Sequence, residues 1–270
     1  MTRVIEFCCG YGGASAGIIA AGLEIEASYD NWPVAVEAHK RWHPDVPCEV
    51  RDVAMIEPHE LEGRIVWASL ACQPWSQANR VRRGKSHSSY YSLAHFARQV
   101  QFVKVAILEN VPGLLIEKDG RAELAELERE CNRLELSLSI NLIPAAWFGV
   151  PQLRRRAIIL IGGPMVLFRA AQFLGVLQNA PVASEGKGRH GGNGNLVQRR
   201  LERAVTNSGN RLDSRDAGQN DVRRSPAENA VLQGVPIEHI AHLPKIHQYT
   251  LIGNAMPPLF AEGIIRQVVA

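Results

Sequence analysis

The stretch Val4-Ile5-Glu6-Phe7-Cys8-Cys9-Gly10-Tyr11-Gly12-Gly13-Ala14-Ser15-Ala16-Gly17-Ile18-Ile19-Ala20-Ala21 decides the fold class. A short β-type apolar run, Val4 to Cys8, passes through a glycine cluster into a helix-type stretch, Ala14 to Ala21, and Ile25 to Tyr29 then reads as a second strand. Strand, glycine turn, helix and strand in succession open a doubly wound α/β sheet, and the turn is where such a sheet meets a nucleotide-like ligand. Gly10, Gly12 and Gly13 would let backbone approach that ligand closely, although a glycine-rich turn is often only a turn.

The alternation continues outward. Helix-type stretches fall at Ala35–Trp42, Ser92–Phe102 and Arg121–Leu134, and strand-type runs at Ile65–Ser69, Val105–Leu108, Leu136–Leu142 and Ala157–Ile161. The pattern predicts an α/β fold, a doubly wound, mostly parallel sheet of Rossmann-like kind, over residues 1–163. After Gly162-Gly163-Pro164 the character changes. Val166 to Leu177 has helical spacing, but residues 184–222 are rich in Gly, Asn, Ser and Arg, so 164–223 is predicted to be a small lobe or loop system. Ser225-Pro226-Ala227-Glu228 is a helix start with proline at the first position, and Pro258 to Val268 forms an amphipathic helix; 224–270 is read as a return to the main domain.

A chain of 270 residues with 46% apolar composition can bury one substantial core. Its net charge of +3 does not announce a nucleic-acid binder, but two stretches are basic: Arg80, Arg82, Arg83 and Lys85, and the arginines between 189 and 224. The five cysteines are odd in number and irregularly spaced, matching neither a disulfide framework nor paired zinc spacings, so no metal is expected. Reduced thiols suit an intracellular, cytoplasmic protein, and Ala14–Leu23 is too short to span a bilayer.

Single residues carry the chemistry. Asp30 closes the second strand, where an acid would bind ribose hydroxyls, and Asp52 follows another short apolar piece; either might instead be an ordinary strand-end acid or helix cap. Cys72 follows a strand end and precedes Pro74 and four cations, which would lower its pKa and favour a reactive thiolate over a buried structural thiol. Glu109 ends an apolar run, where desolvation would raise its pKa, and Pro112-Gly113 signals a turn into a cleft. Alternation aims Arg154 and Arg156 to one side, where two guanidinium groups could converge on one anion or polar ring; a structural ion pair for Glu109 and a solvated basic edge for the arginines are the plainer readings.

Six ordered blocks resemble the DNA (cytosine-5)-methyltransferase family: Gly10-x-Gly12-Gly13, Cys72-Gln73-x-x-Ser76, Glu109-Asn110-Val111, Gln152-x-Arg154-x-Arg156, Ser225-Pro226-x-Glu228 with Leu232-Gln233-Gly234-x-Pro236, and Gly253-Asn254-Ala255-x-Pro257-Pro258. The resemblance implies S-adenosylmethionine as cofactor, with Asp30 on the ribose, Asp52 on the adenine amine, the glycine loop at the methionine end, and Asn254 with the last helix closing the site. It implies double-stranded DNA as partner, a monomer, and a flipped-out cytosine. Cys72 would attack ring carbon 6, Glu109 would serve the ring nitrogen, Arg154 would hold the carbonyl oxygen and Arg156 would support the pocket. Gln73, Ser76, Asn110 and Gln152 are implied on the substrate side.

Ala71 stands where the family has proline, Ser69 where it has glycine, Cys8 where it has phenylalanine and Glu6 where it has aspartate, and Ser89-Tyr90 replaces an Arg-Gly pair. The resemblance assigns target recognition to the region before Ser225, short here, which predicts a short or relaxed target sequence. Three other readings stay open: an enzyme acting on RNA cytosine, a binding or regulatory protein that kept the fold and lost the chemistry, and transfer of a modified group from an altered cofactor.

Overall fold

The computed structural model describes residues 3–76, 84–170, 205 and 224–270. Seven strands form one sheet among them: β1 (Arg3–Phe7), β2 (Glu24–Asp30), β3 (Cys48–Val50), β4 (Ile65–Ala68), β5 (Val105–Asn110), β6 (Leu138–Pro144) and β7 (Arg155–Ile161), in the order β3-β2-β1-β4-β5-β7-β6. The first five pair parallel, whereas β7 pairs antiparallel with both β5 and β6. An uninterrupted βαβ alternation would have kept these last strands parallel. No α-helix separates β6 from β7, only the 3₁₀ turn Ala145–Phe148 and a short loop, and without a long crossover the chain can only turn back.

Strand parity builds two cores. Val4, Ile65, Trp67, Val105, Ile107, Ile158 and Leu160 project to one face, under α1 (Gly13–Ala20) and α8 (Pro258–Val269). Ile5, Phe7, Val66, Ala68, Ala106, Leu108, Ile159 and Ile161 project to the other, under α3 (Leu93–Gln99) and α5 (Lys118–Arg133). The central strands β4 and β5 and most of β1 and β7 bury both faces, so their residues read as nearly continuous apolar runs. The remaining helices are α2 (Pro33–Trp42), α4 (Gly113–Ile116), α6 (Pro226–Gln233) and α7 (Lys245–Asn254).

The helix predicted from Ser92 stops at Gln99, with Val100 as its C-cap, and Pro112-Gly113 opens α4 rather than a simple turn. Residues 166–170 are not helical, and the rest of the helix predicted to Leu177 lies outside the described residues, as do Arg80, Arg82, Arg83 and the basic segment 189–223. The start predicted at Ser225 is present in full. Ser225 Oγ accepts from the Glu228 N–H at 3.2 Å while Glu228 reaches back to the Ser225 N–H at 2.7 Å.

Glycine fixes how α1 meets the C-terminal segment. A Cβ on Gly13 would lie 2.0 Å from the Met256 carbonyl oxygen, and one on Gly17 2.5 Å from that of Pro258. Only glycine allows that approach, which seats Met256, Phe260, Ala261 and Ile264 against Ala14 and Ile18. No helix among the described residues is long and apolar enough to cross a membrane.

Candidate active site

A cleft of about 500 Å³ opens at the carboxyl ends of β1, β2, β4 and β5, beside the point where the strand order reverses at β1. Cys72, Glu109, Arg154, Arg156, Gly10, Asp30, Asp52, Gln73 and Asn254, all singled out in the sequence, line this one cleft. Gly12, Gly13, Ser76, Asn110 and Gln152 do not.

The glycines divide their work. Gly10, at φ 54°, has open space where a Cβ would be, and its N–H donates to Asp30 Oδ2 at 2.9 Å. Gly12, at φ 96°, is needed because a Cβ would meet the His43 ring at 2.6 Å. Of the three, Gly10 is therefore the glycine that faces the cleft, while Gly12 and Gly13 serve packing. Asp30 also accepts from the Trp32 N–H at 2.9 Å, and burial pushes its carboxyl above the usual aspartate range against these backbone donors. Asp52 caps a 3₁₀ turn through Ala54 N–H at 2.9 Å and still faces the cleft, so capping does not withdraw its carboxylate from that space.

Strand parity also assembles the acid and the arginines. Glu109 shares its side of β5 with Val105 and Ile107, and Arg156 shares its side of β7 with Ile158 and Leu160. Glu109 pairs with Ile158 across the antiparallel ladder, so Arg156, two residues away, reaches it: Arg156 Nε lies 2.7 Å from Glu109 Oε1. Arg154 is 2% exposed, with long hydrogen bonds to the carbonyls of Val205 (3.5 Å) and Ala255 (3.3 Å). Its Nε is buried without a partner among the described residues, and burial, then the neighbouring Arg156, push the guanidinium down to about 9. A buried cation so poorly satisfied is suited to donate to an acceptor atom brought into the cleft.

Cys72 departs from the sequence expectation. Burial raises its thiol above the usual range, opposed by Arg156 and to a smaller degree by Arg154, with Glu109 adding to the rise. The cation that is close in sequence and described, Lys85, bonds Glu126 at 2.7 Å on α5 instead. Lys85 is therefore spent on α5, while Arg80, Arg82 and Arg83 lie outside the described residues.

The loop carrying Cys72 is fastened at both ends. Asn110 Nδ2 donates to the Leu70 carbonyl at 3.3 Å, and Trp75, buried and edge-to-face with Tyr90, lies so close to α4 that a Cβ on Gly113 would be 1.9 Å from the Trp75 carbonyl oxygen. Ser69, just before the loop, accepts from Trp67 Nε1 at 3.1 Å. Gln152 is fully buried; its amide donates to the Leu232 carbonyl (2.7 Å) and to Gln233 Oε1 (2.9 Å) and accepts from the Val205 N–H (3.0 Å). Trp32, Tyr90, Tyr91 and Thr250 also line the cleft and were not anticipated, although aromatics directly after a strand-end acid and before a helix cap are a readable signal.

The model of the C-5 cytosine-specific DNA methylase family matches residues 2–162. The chain belongs to that family. Its curated relatives include the type II methyltransferase M.AgeI of Thalassovita gelatinovora, 27% identical over 58% of this chain and 38% of that protein. M.HgiDI of Herpetosiphon aurantiacus is 26% identical over 58% and 51%, and M1.HphI of Haemophilus parahaemolyticus 25% identical over 98% and 86%. The chain thus spans about 40–50% of the length of the first two. Two solved structures share the fold. A putative DNA modification methyltransferase encoded within an E. coli prophage superposes with TM-score 0.72 at 17% identity, covering 100% of this chain and 99% of that one. The Dnmt2 methyltransferase of S. pombe gives 0.67 at 16%, covering 100% and 98%.

Proposed function

We propose that this methylase-family chain transfers a methyl group from S-adenosylmethionine to carbon 5 of a flipped-out cytosine in DNA, through a covalent adduct on Cys72. The observation that carries the reading is the convergence of Cys72, Glu109, Arg154 and Arg156 on the same cleft as Gly10, Asp30 and Asp52. Cytosine-C5 methyltransferases use S-adenosylmethionine as methyl donor. The open space over Gly10 and the two strand-end carboxylates fit a polar nucleoside: Asp30 would hold the ribose and Asp52 the adenine amine, with Asn254 at the rim. Bound there, the cofactor supplies the electrophilic methyl group.

The chain's own residues do the rest. The Cys72 thiolate adds to ring carbon 6, and the displaced electron pair makes carbon 5 nucleophilic. Glu109, held by Arg156, hydrogen-bonds or protonates the ring nitrogen. Arg154, with its unpartnered Nε, holds the carbonyl oxygen. After alkylation a base removes the carbon 5 proton, the ring double bond re-forms and the sulfur–carbon bond breaks. Gln73 and Ser76 lie in the loop beside the ring, whereas Asn110 and Gln152 act on the substrate by positioning Leu70 and the backbone around Arg154. Residues 164–223 would form the target-recognition lobe, small enough to favour a short or relaxed target.

Incubation with radiolabelled S-adenosylmethionine and either duplex DNA or transfer RNA, followed by nucleoside mass spectrometry, tests this. Plain 5-methylcytosine in DNA, absent in Cys72→Ala, is expected; label confined to RNA, a group other than methyl, or full activity of Cys72→Ala would overturn it. Bisulfite sequencing reads the target, and modification confined to a single site of about six base pairs would remove the relaxed-specificity reading.

A further inference from the structure

Behind the cofactor loop, three side chains from three elements meet in the interior. Cys9 lies in the loop after β1, His39 on α2 and Cys48 at the first position of β3. All three are buried, and their sulfur and ring-nitrogen atoms lie within 4.8 Å of one another. The sulfurs of Cys9 and Cys48 are 3.5 Å apart, both cysteines are free, and Val36, one turn before His39, packs against both.

The hydrogen bonds around His39 suit the tautomer protonated at Nε2. With Ser15 Oγ donating to Glu6 Oε2, the 2.8 Å contact with His39 Nε2 is donated by the ring. That leaves His39 Nδ1 with a lone pair, and Nδ1 is buried with no hydrogen-bond partner among the described residues. An imidazole whose N–H is held by a hydroxyl–carboxylate chain, with the other nitrogen bare and two thiols alongside, is how proteins orient a metal-ligating histidine.

We propose that Cys9, His39 and Cys48 bind a thiophilic d¹⁰ cation, zinc(II) or copper(I). Two sulfurs at about 2.3 Å from a tetrahedral zinc stand about 3.8 Å apart, close to the spacing already present. Two thiolates and an imidazole are the donor set such ions favour over calcium or magnesium. Zinc with two thiolates leaves no net charge in a buried site, and Cys9 also faces the cofactor cleft, from which water would complete the coordination. The ion would tie the Gly10 loop, α2 and β3 together at the back of the cleft. Paired sequence spacing misses such a site because each ligand comes from a different element.

The full chain, expressed in zinc- or copper-supplemented medium and purified under a non-chelating reductant, is assayed for metal by plasma mass spectrometry and titrated with cobalt(II) after metal removal. One zinc or copper per chain and a sulfur-to-cobalt charge-transfer band are expected. The band should be lost in Cys9→Ser and Cys48→Ser and kept in Cys72→Ser, which separates this site from the other thiol in the cleft. Substoichiometric metal with no cobalt band in the parent chain overturns the proposal, and that measurement decides even where a serine variant fails to fold. A band that survives both Cys9→Ser and Cys48→Ser, or vanishes in Cys72→Ser, overturns it equally.

Discussion

Replacing Gly113 by alanine sets two effects of opposite sign against each other. Gly113 begins α4 with an ordinary negative φ, so alanine fits the backbone and by propensity alone would stabilise the helix by up to about 1 kcal/mol. The added Cβ, however, would lie 1.9 Å from the Trp75 carbonyl oxygen, and contacts under 3.0 Å are essentially never seen, so the gap must widen by at least 1.1 Å (3.0 − 1.9). Trp75 cannot give cheaply, because the residue is 4% exposed and its ring packs on Tyr90. Overpacking of this kind costs about 1–3 kcal/mol, so the steric effect wins. The displacement then runs to the nucleophile, since the Trp75 N–H bonds the Cys72 carbonyl at 3.0 Å within one 3₁₀ turn. Moving a reacting group by roughly 1 Å costs on the order of 10²-fold in rate. Single-turnover transfer of radiolabelled methyl groups into DNA, alongside thermal melts, measures both. Gly63→Ala is the control: at φ 74° with nothing within 4 Å, it loses about 1–2 kcal/mol to left-handed backbone but should leave the rate of the folded enzyme unchanged. A Gly113→Ala enzyme that melts as a folded protein and works within about threefold of the parent, less than roughly 1 kcal/mol of barrier, would refute the reasoning. So would an equal loss of rate in Gly63→Ala.

Three other outcomes are expected. Because burial raises the Cys72 thiol, the thiolate fraction grows as pH rises, and the single-turnover rate should climb through pH 7–9 rather than level off near neutrality; a flat profile there would show the thiol is not held up. Burial likewise pushes the Glu6 carboxyl up from 4.5 to about 8, so the native state keeps a proton the unfolded chain has released. Stability should therefore fall as pH rises from about 4.5 toward 8, by up to about 5 kcal/mol, and Glu6→Gln should flatten that slope in chelator-treated protein; parallel curves for the two would contradict it. Gln152→Ala strands the Val205 N–H and the Leu232 carbonyl and should cost about 1–3 kcal/mol for each buried group left unpaired, read as a lower denaturant midpoint; an unchanged midpoint would mean water replaces the amide.

What could be read from the sequence follows from how local each cause is. Runs such as Val105–Leu108 announce buried strands because alternate residues feed the two cores, and the same parity correctly put Arg154 and Arg156 on one side. The antiparallel return of β6 and β7 was not legible, since it depends on the absence of a helix between them rather than on either strand. Nor were the partners of Asn110 and Gln152, which bond backbone carbonyls and amides that carry no residue signature. The departure at Cys72 has the same root: among the described residues Lys85 is near in sequence but turns to α5, whereas Arg156 and Arg154, far along the chain, act on the sulfur. Ala71 stands where the family has proline, so no proline ring stiffens the loop there. The fastening is carried instead by Asn110 at Leu70 and by Gly113 at Trp75, both on the segment that also delivers Glu109.

The block Gln152-x-Arg154-x-Arg156 thus holds three different jobs at alternate positions of one strand approach. Arg156 turns to Glu109 and fixes the acid. Arg154 is buried at a desolvation cost of several kcal/mol, and the two long carbonyl bonds that partly offset it come from Val205 and Ala255, far away in the chain. Gln152 holds Val205 in place from the other side and bonds Gln233, whose amide in turn reaches the Ala255 carbonyl. The guanidinium therefore has its acceptors only when residues 205, 232–233 and 255 are docked on β7, and docking them leaves Nε buried with no partner among the described residues. A charge that is costly to bury and incompletely satisfied is stabilised further by any ligand that brings an oxygen to it. Docking of the C-terminal segment and completion of the acceptors around Arg154 are in this way one event, with Gln152 and Arg154 as its two halves.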